Sequence, residues 1–264
     1  MTFWLWYGAL GGVAGIIAGL MGVGGGIVIV PALVWLFTVQ GISPAYIQHM
    51  AVGTSLATIV FTSASSARAH HRKEAVIWRT VLSIAPGIVV GTLFGTWIAS
   101  LISTRLLRGI FVAFIYYVAV QMLARITVRP HRQLPGSTGI FGAGGIIGCI
   151  SSLVGIGGGS MSVPFMLWCN VPMRNAIGTS AAIGIPIAVA GTLGNIITGW
   201  GIPALPRLSL GFVYLPALIG ISLVSMLTAP LGARLAHTLP VQLLRSGFAA
   251  FLLLIGTKML VGLL

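Results

Sequence analysis

The chain has 264 residues, 57% of them hydrophobic and 6% charged, and its mean hydropathy of +1.08 excludes a soluble globular domain. Fourteen Lys and Arg stand against a single acid, Glu74, for a formal net charge of +13. In a soluble protein that excess would point to nucleic acid. Here much of it gathers in two short runs, "RAHHRKEAVIWR" (Arg68 to Arg79) and "RITVRPHR" (Arg125 to Arg132), as it does in the cytoplasmic loops of multi-pass membrane proteins.

The expected partners are therefore membrane lipids and a small substrate, not nucleic acid. Cation pathways and proton relays in membranes use intramembrane Asp or Glu. No apolar segment here carries one, which disfavours a cation transporter and makes an anion the expectation for anything that crosses. No cofactor or metal is expected, since Cys149 and Cys169 lie in or beside apolar segments and are not spaced as a metal site or a disulfide framework.

The opening "MTFWLWYG" lacks the basic start of a secretory signal and reads as a mature segment, with Trp4, Trp6 and Tyr7 at a membrane interface. Against a spanning length of roughly 20 residues, the apolar runs predict segments at about 3–20, 27–39, 51–67, 80–100 and 106–124. A second set follows at about 139–154, 160–169, 176–198, 209–236 and 242–262. The expected fold class is an all-α polytopic membrane protein, one transmembrane transporter domain over 1–264. Its first repeat covers about 1–125, a basic cytoplasmic linker about 126–138, and its second repeat about 139–264.

The halves are copies of one another. "GLMGVGGGIVIVP" (Gly19 to Pro31) returns as "SLVGIGGGSMSVP" (Ser152 to Pro164) at an offset of 133, and "AVGTS" (Ala51 to Ser55) returns as "AIGTS" (Ala176 to Ser180). Near the half ends, Gly95, Leu107, Arg108 and Phe111 return as Gly232, Leu244, Arg245 and Phe248 at an offset of 137. Five segments per half, an odd number, invert the second copy and put both termini outside. Arg105 and Arg108 then fall on the side opposite the basic loops.

Segments 27–39 and 160–169 are too short to span. Each follows its glycine cluster and reads as a broken or re-entrant helix, the two meeting near mid-membrane. Gly11, Gly15 and Gly19, like Gly87, Gly91 and Gly95, recur every fourth residue and suit close helix packing. The triplets Gly24, Gly25, Gly26 and Gly157, Gly158, Gly159 are different, because consecutive glycines form helix poorly and reach positive φ freely. Two readings fit them. One is a tight turn between packed helices; the other, favoured by the duplication, is an anion site made from the amides and positive dipole ends of two half-helices.

Thr54 with Ser55 and Thr179 with Ser180 add hydroxyls at equivalent places, as does Ser160, whose counterpart is Ile27. Such hydroxyls either contact the substrate or bond back to helix backbone. His49 and Arg174 also occupy equivalent positions, suited either to a vestibule or coupling role or to headgroups and water. His70, His71 and His131 lie in the basic runs and read as solvated. There is no carboxylate pair and no phosphate-loop Lys, so no enzyme is expected.

At these duplicated motifs the chain resembles the TauE/SafE (TSUP) family of sulfite exporters, over nearly its whole length. The resemblance implies an inner-membrane carrier of sulfite, thiosulfate, sulfonates or related organic anions. It leaves open which anion moves, in which direction and with what coupling. A passive anion channel, and a membrane subunit docking a soluble sulfur-metabolism protein, are the alternatives. A protein partner or a homo-oligomer is compatible with either.

Overall fold

The computed structural model describes residues 2–22, 24–124, 134–235 and 241–262. The Arg125 to Arg132 run, with His131, lies outside the described residues. The helices are α1 (Thr2–Met21), α2 (Gly26–Val39), α3 (Ile47–His71), α4 (Trp78–Leu101) and α5 (Thr104–Leu123), followed by α6 (Ser137–Val154), α7 (Gly159–Trp168), α8 (Met173–Thr198), α9 (Leu215–Leu235) and α10 (Val241–Val261). Among the described residues, seven helices are long and apolar enough to cross a membrane: α1, α3, α4, α5, α6, α8 and α9. The chain is an all-α multi-pass membrane protein.

Two of the expected segments have different ends. The run at 209–236 opens with a two-stranded hairpin, Ser209–Leu210 pairing with Val213–Tyr214, before α9 begins. The cause is Gly211, which turns at φ +54 and lies so close to α8 that an added Cβ would stand 2.4 Å from the Ile196 carbonyl oxygen. The segment at 51–67 extends to 47–71 as α3. That extension corrects the expectation for His70, which is buried at 1% exposure. Its Nε2 lies 3.2 Å from the Gly19 carbonyl oxygen, so the basic run begins inside a packed helix.

Small residues bring the long helices into backbone contact. Parallel α1 and α9 meet along Gly11, Gly15 and Gly19, where an added Cβ would stand 2.5 Å from Ile221 O, 2.6 Å from Ser225 O and 2.1 Å from Ala229 O. Parallel α4 and α6 meet in the same way along Gly87, Gly91 and Gly95, at 2.1 Å from Phe141 O, 2.0 Å from Gly145 O and 2.6 Å from Cys149 O. Without side chains between them, the backbones close to a separation that dispersion and carbonyl contacts can exploit in lipid.

Exchanging the sequence copies maps these contacts onto one another. α1 packs on α9 as α6 packs on α4, α3 on α9 as α8 on α4, and α2 on α3 as α7 on α8. Two helices pack on their own counterparts, and both pairs are antiparallel. Gly53 near the start of α3 faces Asn195 near the end of α8, while Gly178 near the start of α8 faces Ala75 beyond the end of α3. In the other pair, Arg108 at the start of α5 donates to the Gly262 carbonyl after α10 at 3.3 Å, and Tyr116 pairs with Thr257 at 2.9 Å.

Candidate anion-binding site

Both glycine sentences break the helix at the same points. Gly22 and Gly155 adopt φ +66 and +77, and Gly25 and Gly158, at φ 77 and 76, are the N-caps of α2 and α7. An L side chain in this left-handed region costs about 1–2 kcal/mol, which is why the caps are glycine. Each short helix then starts on its third glycine, Gly26 or Gly159, and carries a proline five residues on, Pro31 or Pro164. At 14 and 10 residues, α2 and α7 are too short to span.

The two loops touch. A Cβ on Gly24 would lie 3.2 Å from the Gly157 Cα, and one on Gly26 would lie 2.2 Å from the Gly155 carbonyl oxygen. Gly24, Gly25, Gly26, Gly157, Gly158 and Gly159 are all buried. The crossing therefore brings two helix N-termini together, each with first-turn amides that lack a carbonyl in their own helix and each with a positive dipole end. Glu74 lies in the turn after α3, outside this crossing.

The predicted hydroxyls are committed to backbone across the two copies. Ser55 Oγ donates to Gly155 O at 2.8 Å, and Ser180 Oγ donates to Gly22 O at 3.0 Å. Thr54 Oγ1 accepts from the Tyr214 amide at 2.9 Å, and Thr179 Oγ1 accepts from the Ile77 amide at 3.0 Å. Each "GTS" thus steadies the other copy's glycine loop and the approach to its following long helix. Ser162 extends the second set by donating to Ser180 at 2.8 Å, and Ser160 lies in the first turn of α7 at 9% exposure.

His49 and Arg174 are at opposite ends of the α3–α8 pair. His49 is buried against Phe212, with ring centroids 5.2 Å apart. Its Nε2 lies 3.0 Å from Ala99 O and its Nδ1 lies 3.1 Å from Thr104 Oγ1. Arg174 is exposed and donates to the Lys73 carbonyl. His49 forms part of the wall of an open vestibule of about 850 Å³, together with Tyr46, Thr104, Arg105, Arg108 and Thr198. The sequence places Arg105 and Arg108 opposite the basic loops without joining them to His49. The available signal was their shared side with His49, opposite the basic loops.

A family model described as "Sulfite exporter TauE/SafE" matches residues 7–259. A probable membrane transporter protein of Haemophilus influenzae is 38% identical over 98% of this chain and 98% of that protein. The probable membrane transporter proteins YunE of Bacillus subtilis and MJ0441 of Methanocaldococcus jannaschii are 30% and 26% identical, over 72% and 95% of this chain and 77% and 93% of theirs. No solved structure matches.

Proposed function

The chain belongs to the TauE/SafE sulfite exporter family, and on that premise we propose that it carries a small sulfur-containing oxyanion or organic anion across the inner membrane by alternating access. Sulfite, thiosulfate and small sulfonates are the substrate class. The observation that carries this reading is the backbone contact between the two glycine loops that lead into α2 and α7. Two positive dipole ends attract an anion without needing a buried base.

The halves act as inverted repeats in this reading. Antiparallel packing of α3 on α8 and of α5 on α10 supports a pseudo-two-fold axis in the membrane plane, on which rocking of one copy against the other exposes the crossing alternately. With the Arg68 to Arg79 run cytoplasmic, the His49, Arg105 and Arg108 vestibule opens outside. An inside-negative potential then drives an anion outward without any titratable residue. A proton carried by the substrate itself serves the same end.

Counterflow of radiolabelled sulfite, thiosulfate and a small sulfonate into proteoliposomes holding only this protein tests the proposal. Saturable exchange of at least one is expected. Non-saturating flux would replace the carrier with a channel, and no flux of any from folded protein would overturn the substrate class.

A further inference from the structure

One stripe of α3 runs past the glycine crossing and carries polar groups that the packing does not use. At about 100° per residue, Val52, Ser55 and Ile59 share a face, and all three meet the glycine loops: Val52 at Gly155, Ser55 at the Gly155 carbonyl, and Ile59 at Gly24 and Gly26. The same face continues to Ser63, Ser66 and His70 toward the Arg68 to Arg79 side, and back to Gln48 toward the vestibule side.

Gln48, Ser63 and Ser66 are 0%, 1% and 0% exposed. Ser63 Oγ, Ser66 Oγ and both polar atoms of the Gln48 amide have no hydrogen-bond partner among the described residues. Ser63 adjoins the crossing directly. A Cβ on Gly184 would meet Ser63 Oγ at 2.5 Å and Gly157 O at 3.3 Å. Beyond Ser66, the track reaches His70, bonded to Gly19 at the end of α1.

Packing does not call for Gln48, Ser63 and Ser66. The corresponding positions of α8 are Met173, Ala188 and Gly191 where α3 has Gln48, Ser63 and Ser66, so the same helix face closes without them. Buried polar atoms left without partners weaken a fold, and polar groups facing the interior of a membrane protein mark substrate and ion pathways.

We propose that this α3 face, through Ser63, Ser66 and His70, lines the route by which a partly dehydrated oxyanion passes between the glycine crossing and the Arg68 to Arg79 side, with Gln48 continuing the route on the vestibule side. The inference rests on the carrier reading above. Hydroxyl and amide N–H groups replace water around the anion in transit, and the contacting glycine loops separate the two parts of the route. Gln48, Ser63 and Ser66 belong to the first copy alone, so inner and outer access are not equivalent despite the repeat.

The test is thiol labelling in native membranes. Single cysteines replace Ser63, Ser66, Gln48 or Thr62 in a Cys149→Ser, Cys169→Ser background, and N-ethylmaleimide is the probe. Thr62 is the dry control, at the same depth but bonded to Ser225 of α9 at 2.8 Å. Ser63→Cys and Ser66→Cys are expected to react at least about tenfold faster than Thr62→Cys, because a wetted thiol ionises where a packed one does not. Equal, slow labelling overturns the route. Labelling uses no substrate, so a labelled stripe with no wild-type counterflow sinks the substrate class alone, whereas counterflow with an unlabelled stripe sinks the route alone. The double variant Ser63→Ala, Ser66→Ala, made foldable by the precedent of Ala188 and Gly191, is expected to slow counterflow about tenfold. Wild-type flux from it would also overturn the route.

Discussion

Ser55 donates its hydroxyl hydrogen to the carbonyl of Gly155, 2.8 Å away and 100 residues further along the chain. The reciprocal bond, Ser180 to Gly22, makes the relationship mutual. Ser55→Ala and Ser180→Ala each leave a buried carbonyl short of a partner, and each is expected to destabilise by about 1–3 kcal/mol. Thermal unfolding in detergent checks this; a wild-type melting temperature for either would remove that bond from the account of the crossing.

Gly25→Ala and Gly158→Ala both force an L residue to positive φ, at about 1–2 kcal/mol each. Their surroundings differ. The new methyl meets the Ala14 carbonyl at 2.7 Å in the first case and the flexible end of Ile187 at 2.4 Å in the second. Gly25→Ala is expected to be the more damaging, and bulkier residues at either position are expected to abolish counterflow while the protein still elutes as a single folded species. Normal transport by both bulky variants would remove the anion site from the crossing.

Glycines inside helices divide by what faces them. Gly91→Ala drives a methyl to within 2.0 Å of the Gly145 carbonyl and is expected to lower the melting temperature. Gly109→Ala and Gly142→Ala meet nothing within 4 Å; each is expected to stabilise by up to about 1 kcal/mol of helix propensity and so to raise the melting temperature. Destabilisation by Gly109→Ala would contradict the packing of α5.

On the proposed carrier function, Arg105 and Arg108, which line the vestibule, raise the local concentration of anions there. Replacing both with Gln is expected to raise the half-saturating concentration about tenfold for substrate offered from the vestibule side, with less effect as salt increases. Arg174→Gln, at the opposite end of the α3–α8 pair, is expected to leave that value unchanged. Inside-out and right-side-out vesicles distinguish the two, and equal effects of all three arginines from one side would contradict the assignment of the mouths.

The glycine caps and the short helices were legible because they follow from local chemistry. Consecutive glycines disfavour helix wherever they stand, and a segment of 14 or 10 residues cannot cross a bilayer. The commitments of Thr54, Ser55, Thr179 and Ser180 were not legible, since their partners lie 100 or more residues away in the chain. His70 was misread for a related reason. Charge density suggests a solvated loop, but the carbonyl of Gly19 holds His70 inside a helix that continues to His71. The hairpin at 209–214 was hidden because "SLGFVY" is as apolar as a helix start, and only contact with α8 turns it at Gly211.

The antiparallel seam between α3 and α8 also bears on how such a chain can arise. On the proposed inverted-repeat arrangement, a lone half, made before any duplication, finds the surface that covers its central helix on another copy of itself lying upside down in the same bilayer. Its gene would have had to insert its product in both orientations in comparable numbers. Joining two copies end to end removes that requirement.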